Sequence, residues 1–266
     1  MNLKDKISVM VMTHIINVSS DPYLDNEMII KTIRTSHDKM NLQGVTYYVY
    51  IDSFFKENYT EYYNTYVNNL LAKFNSELSD INIVIVPDAQ MSQKGNWAHM
   101  INNCNTPYFI FLEHDWEFIE DIPTDVILSE MDKHDNFSYL RFSRWPAGHG
   151  QELRWDKSNG AMYAQETEIG VDVNLPLTKV GLYSGNPHIV KTQKCKDFYL
   201  PILLAHYPDI KDRNTYLEKE FLGIIVRDIQ QNGQLKSHEK WGTFLYGTWP
   251  IFEPVITHLG DWCRKS

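Results

Sequence analysis

Two rhythms of apolar and polar residues alternate along the first half of the chain. Short apolar runs at residues 7–13 (ISVMVMT), 45–51 (VTYYVYI), 81–86 (INIVIV) and 108–112 (YFIFL) read as strands, the first and last of them buried. Between them, Leu24, Met28, Ile29 and Ile33 recur at helical spacing within 24–37. Tyr63, Val67, Leu70, Leu71 and Phe74 do the same within 59–74, and residues 94–104 predict a third helix. Strands and helices in strict alternation are the signature of βαβ units and a parallel sheet, so the pattern predicts an α/β fold. The run at 108–112 is continuously aromatic or branched, as suits a central strand covered on both faces.

Past residue 118 the rhythm changes. Residues 124–134 predict a helix and 138–144 a strand, and 146–160 predict a loop with Gly148, Gly150 and Gly160. Residues 161–192 read as irregular, with short strand-like pieces and a turn at Ser184-Gly185-Asn186-Pro187. Helical spacing returns at 198–206 and 216–231, and the tail from 240 to 266 is rich in Trp, Gly, Pro and His. With 266 residues, no repeat and no low-complexity linker, the chain is expected to form one domain, 1–266.

Composition narrows the partners. A hydrophobic content of 43% with 22% charged residues is that of a soluble globular protein. The net charge of -9 speaks against a general nucleic-acid binder, which needs clustered Lys and Arg. Cys104, Cys195 and Cys263 are scattered without a CxxC pair, which excludes a cysteine-rich zinc site and suits a reducing compartment. No apolar stretch approaches a membrane span, and the start lacks the long apolar region and cleavage site of a signal peptide. A cytoplasmic protein is expected, with the acceptor patterns at Asn17, Asn58 and Asn136 left unglycosylated.

The chemistry concentrates where the strand at 108–112 ends, in Glu113-His114-Asp115-Trp116-Glu117. Ligands of open α/β sheets bind at the carboxyl ends of the strands. Closely spaced carboxylates with an imidazole suit a divalent cation held to phosphate oxygens. The plainer alternative is a solvated acidic turn. No GxGxxG or GxxxxGK[ST] follows any strand, which makes a cation the expected handle on phosphate.

The strand order, the EHDWEF cluster and the later acidic helix resemble a GT-A glycosyltransferase of the family-two type, most strongly over 7–118. The resemblance implies a Rossmann-like GT-A fold with a mixed, mainly parallel central sheet flanked by helices. It implies transfer of a sugar from a nucleotide-diphosphate donor, a UDP-sugar first, to a hydroxyl of a glycan or other acceptor. Mn2+ or Mg2+ would assist, and the outcome would be inverting. Residues 1–118 would bind the nucleotide-sugar and 119–266 the acceptor.

The family's Asp-x-Asp place is held here by Glu113-His114-Asp115, with the first acid one methylene longer. By this resemblance Asp115 is a metal ligand, with Glu113 as a second ligand or a donor-sugar contact and His258 of THLGDW as a third; His114 is expected to point back into the fold. Thr13 and Asp52 match places beside the nucleotide, and Lys94 and Asn96 a segment leading toward the diphosphate. In residues 216–233, Glu220 matches the catalytic base and Glu218 is the alternative. The family's Glu-Asp pair is absent, and Phe221 stands where the second acid is often found. Each of these residues also has an ordinary structural role open to it: strand-end hydroxyl, turn cap, solvated lysine or first-turn acid. Trp145, Trp155, Trp241 and Trp249 are candidates to stack on sugar rings or to fill the core.

Three other functions compete. A nucleotidyltransferase shares the fold logic, but THIINVSSD lacks its glycine-rich basic loop after the first strand. A non-catalytic carbohydrate-binding or interaction protein would leave the acids as surface decoration. A His-Asp phosphohydrolase would place its pair on helices among further histidines.

Overall fold

The apolar runs become the strands of one sheet. In the computed structural model, residues 2–14, 22–52, 60–86, 93–144, 165–166, 175–180, 183–209, 217–247 and 253–259 are described. The first half runs β1 (Ile7–His14), α1 (Pro22–Lys39), β2 (Thr46–Asp52), α2 (Thr60–Glu77), β3 (Asn82–Val86), α3 (Gln93–Asn103) and β4 (Tyr108–Glu113). Each expected element is there, with ends within a few residues. β5 (Trp116–Phe118), α4 (Thr124–Lys133), β6 (Tyr139–Phe142), β7 (Gln165–Glu166), β8 (Leu177–Lys179) and β9 (His188–Lys191) follow. α5 (Thr192–Lys194) continues through a π-turn at Cys195–Tyr199 into α6 (Leu200–His206). Pro201 sits at the start of α6 and has no N–H to return to Asp197, which accounts for the widened turn before it. The chain ends with α7 (Leu217–Asn232), α8 (Gln234–Trp241), β10 (Thr243–Tyr246) and β11 (Ile256–His258).

Among the described residues the main sheet has nine strands in the order β3-β2-β1-β4-β9-β6-β10-β8-β7. β3, β2, β1 and β4 are parallel, β9 runs against both β4 and β6, and β10 is parallel to β6. β8 opposes both β10 and β7. Only β9 and β8 therefore run against the rest. The sheet is mixed, mainly parallel and flanked by helices, the α/β, Rossmann-like layout expected of a GT-A fold. The second half was read less well: β9 and β10 lie inside the sheet, while the sequence offers only short apolar pieces for them. α8 was not anticipated, since the helical spacing was read only as far as residue 231. It begins after Gly233 (φ 81) and is closed by Gly242 (φ 63), both glycines in the positive-φ region.

Strand alternation sorts the core into two layers. Val9, Val11, Tyr47, Val49, Ile110 and Leu112 pack with α1, α2 and α4 on one face. Met10, Met12, Phe109 and Phe111 pack with Trp97 of α3, Leu203 of α6 and Phe221 of α7 on the other. β4 is thus buried from both sides, as its composition predicts. The crossovers diverge at β1 and β4: α1 and α2 cover one face and α3 the other, so a topological switch point lies between these two strands. No described helix is long and apolar enough to cross a membrane.

Gly242 is the tightest backbone approach in this frame. A Cβ there would stand 2.6 Å from the Asn136 carbonyl oxygen, whereas one on Gly44 (φ 73) would meet nothing within 4 Å. In urea denaturation, Gly44→Ala is expected to lose about 1 kcal/mol and Gly242→Ala about 3 kcal/mol, the difference being the clash added to the left-handed backbone. Equal losses would show that the Asn136 contact carries no weight.

Candidate active site

The parity of β4 decides where its acids go. Glu113 continues the Phe109–Phe111 side and emerges on the α3/α7 face. There Gln93, the first residue of α3, donates from Nε2 to Glu113 Oε1 at 2.9 Å. His114 turns the other way and is buried, and its carbonyl accepts from Thr32 Oγ1 of α1 at 2.8 Å. Asp115 lies in the turn between β4 and β5. Because β11 pairs antiparallel with β5, His258 stands opposite Trp116. His258 Nε2 reaches Asp115 Oδ2 at 2.9 Å, and the Trp116 ring packs edge-on against its imidazole at 4.9 Å. The Arg144 guanidinium lies 5.3 Å from the Trp116 ring centre, a cation–π contact beside the pair.

The antiparallel sense of β9 completes the opposite wall. β9 begins at the end where β4 stops, so the turn Ser184-Gly185-Asn186-Pro187 before it lies beside Glu113. A Cβ on Gly185 would stand 3.8 Å from the Glu113 carboxylate oxygens. Ser184 Oγ donates to Glu218 Oε1 at 2.7 Å, and the Leu217 N–H at the start of α7 donates to Gln93 Oε1 at 3.3 Å. Glu113, Asp115 and Glu218 thereby share one neighbourhood. Burial, with the charges of Asp115 and Glu218, pushes the Glu113 pKa up to about 8 against the pull of the Gln93 hydrogen bond. Burial acts the same way on Asp115, but the His258 hydrogen bond and the nearby imidazoles outweigh it and hold that carboxyl below its ordinary value.

Asp115 and His258 have the spacing of two ligands of one ion: oxygen or nitrogen donors at about 2.1 Å from a six-coordinate cation and at right angles stand about 3 Å apart. Asp115 Oδ1 is buried without a hydrogen-bond partner among the described residues, and a cation would satisfy it. Carboxylate with imidazole is a donor set suited to Mn2+-like ions. The three-ligand set expected from the sequence is not assembled: among the described residues no three His, Cys, Asp or Glu side chains converge, and Glu113 is turned to Gln93.

The remaining expected residues fall in two groups. Thr13 is buried, with its hydroxyl 2.6 Å from Tyr66 OH on the α2 side. Lys94 and Glu220 are 1% and 2% exposed, and Nζ and Oε1 meet at 3.5 Å. Asn96 is likewise buried. Trp241 fills the core, stacked on Tyr199 at 5.8 Å with its indole N–H on Asp228. Asp52 ends β2 in register with His14 at the carboxyl edge, but its side chain lies outside the described residues, as do Trp145, Trp155 and Trp249. Gln93, Ser184 and Gly185 were missed as site residues; the Ser-Gly-Asn-Pro turn was visible, but not the antiparallel strand that aims it. A cavity of about 470 Å³ lined by Asn105, Thr106, Asp132, Lys191 and Lys196 lies at the other end of β4 and is separate from this constellation.

No family model and no curated protein matches the chain. Among solved structures it is similar to mouse xyloside xylosyltransferase 1 in its apo form, at 10% identity, covering 95% of this chain and 97% of that one, with a TM-score of 0.46. It is similar to S. aureus TarS at 12% identity, covering 94% of this chain and 36% of that one, with a TM-score of 0.49. A cytidylyltransferase from Leptospira borgpetersenii matches at 10% identity over 93% and 78%, with a TM-score of 0.45. Likenesses this distant carry no chemistry across, and function has to be read from the site.

His188 supplies a test of the floor under the Ser184 turn. It is buried between Phe111 (5.1 Å) and Tyr139 (4.6 Å), and Nδ1–H donates to the Asn186 carbonyl at 2.8 Å. Burial pushes its pKa from 6.5 down to about 3. A depressed imidazole adds stability above its unfolded value and loses it as protons bind the unfolded chain, so unfolding free energy should fall as pH drops from 6.5 toward 3. His188→Gln should flatten that part of the profile; an unchanged slope would show that His188 is not held neutral.

Proposed function

We propose that the chain is a metal-dependent glycosyltransferase, moving a sugar from a nucleotide-diphosphate donor, a UDP-sugar first, to a hydroxyl of a glycan or other acceptor with inversion. The observation that supports it most is the Asp115–His258 pair, 2.9 Å apart beside the β1/β4 switch point, with Glu113 and Glu218 across from it. Asp115 and His258 would hold Mn2+ or Mg2+, and the bound cation would neutralise charge on the departing diphosphate. Glu113, braced by Gln93, faces the donor sugar. Asp52, at the carboxyl end of β2, would accept from the nucleobase.

Glu218 takes the role of general base in preference to Glu220. Its carboxylate is exposed, and Ser184 fixes Oε1, leaving Oε2 to accept the acceptor hydroxyl proton. Glu220 is closed off by its ion pair. The nucleotidyltransferase reading uses the same cation pair and differs in product, diphosphate released from a nucleoside triphosphate rather than a transferred sugar.

A screen of UDP-, GDP- and dTDP-sugars with Mn2+, followed for both transfer and hydrolysis, tests the class; turnover of a nucleoside triphosphate with a sugar phosphate, and none of any nucleotide-sugar, would replace it with the second reading. Within the first, Glu218→Gln is expected to lower kcat by a factor on the order of 10^2 to 10^4 with donor KM nearly unchanged. An undiminished rate would remove Glu218 as the base.

A further inference from the structure

We infer that Lys94 and Glu220 form a buried positioning pair that sets α3 against α7 and so aims Gln93 and Glu218 at the site. This rests on the glycosyltransferase reading only for what is being aimed. Three contacts step along the two helices together: Gln93 Oε1 with the Leu217 N–H at 3.3 Å, Lys94 Nζ with Glu220 Oε1 at 3.5 Å, and the Trp97 ring with Phe221 at 5.4 Å. The middle contact is the only ionic one of the three. Lys94 also lies over the ring of Tyr207, the residue just past α6, at 5.6 Å, which adds a cation–π contact.

Burial is what gives the pair its leverage. Both side chains are almost wholly excluded from water, and Glu220 Oε2 has no hydrogen-bond partner among the described residues. A carboxylate in that position depends on its counter-ion, because an uncompensated buried charge is far more costly than a buried pair. With Lys94 removed, Glu220 keeps its charge only by turning outward to reach water. Residues 218 and 220 are about 200° apart around a helix at 3.6 residues per turn, so swinging one outward carries the other away from Ser184 and Glu113. The same rotation pulls the Leu217 amide from Gln93, and Gln93 is the group that braces Glu113.

Replacing both charges with apolar side chains of similar length removes the need to turn, and buried ion pairs often tolerate that exchange. A catalytic Glu220 would not tolerate it. The experiment compares wild type, Lys94→Met, Glu220→Gln and the double variant Lys94→Met with Glu220→Met. Two quantities are read: hydrogen exchange at the Leu217 amide, and kcat and KM for the donor accepted by wild type.

Each single variant is expected to exchange Leu217 about tenfold faster or more and to lose kcat about tenfold with KM held within about twofold, while the double variant returns both to within about threefold of wild type. Glu220→Gln keeps the side-chain shape and serves where Lys94→Met does not fold. A folded double variant that protects Leu217 yet has no turnover would overturn the inference and make Glu220 a chemical participant. Exchange at Leu217 unaltered in the single variants would also overturn it. If wild type turns over no nucleotide-sugar, the glycosyltransferase reading fails by itself, and the exchange measurement still decides the pair.

Discussion

The two-residue period of β4 is the constraint from which the site follows. The strand is buried on both faces, so its register cannot slip without placing aromatic side chains in the wrong layer. Phe109 and Phe111 belong to the α3/α7 layer, and that parity sends Glu113 to the same side. Ile110 and Leu112 belong to the α1/α2 layer, and His114 follows them into the fold. A slip of one residue would turn the glutamate toward the α1/α2 layer and the imidazole toward the α3/α7 face. The acid's position is thus a by-product of core packing, set by the apolar side chains of the same strand.

Around that strand, negative charge is assembled from segments far apart in sequence. Glu218 arrives on α7, and the Ser184 turn arrives because β9 runs antiparallel. His258 arrives because β11 pairs with β5. The environments then separate the two acids at the end of β4: Glu113 is raised by burial and by its neighbours' charges, while His258 holds Asp115 low. Carboxylates pushed apart in this way commonly divide roles at a reacting centre. Glu220 shows the contrast, a carboxylate matched by a lysine and closed from solvent, whose effect is on helix placement.

The first four strands and three helices were legible from their apolar runs and helical periods, although β3 proves to be a half-exposed edge strand, and the Glu113–Asp115 cluster was legible because it directly follows the strongest strand. The rest was not, for reasons specific to each residue. β9 offers four residues, His188 to Lys191, too few for a period, and its direction depends on pairing with β4. Gln93 and Ser184 are common polar residues whose roles come only from what the fold sets opposite them. The burial of Thr13 and Lys94 was not legible, because position in a strand or helix does not reveal which layer a side chain enters. The choice between Glu218 and Glu220 turned on helix phase: two residues apart on α7, one is exposed against Ser184 and the other buried against Lys94.

The central claim is that Asp115, paired with His258, is where a cation meets a nucleotide diphosphate. Calorimetric titration with UDP, with and without Mn2+, on wild type and Asp115→Ala tests it most directly. The account predicts binding to wild type that requires Mn2+ and is lost in the variant. Binding of equal strength without the cation, or undiminished in Asp115→Ala, would contradict it.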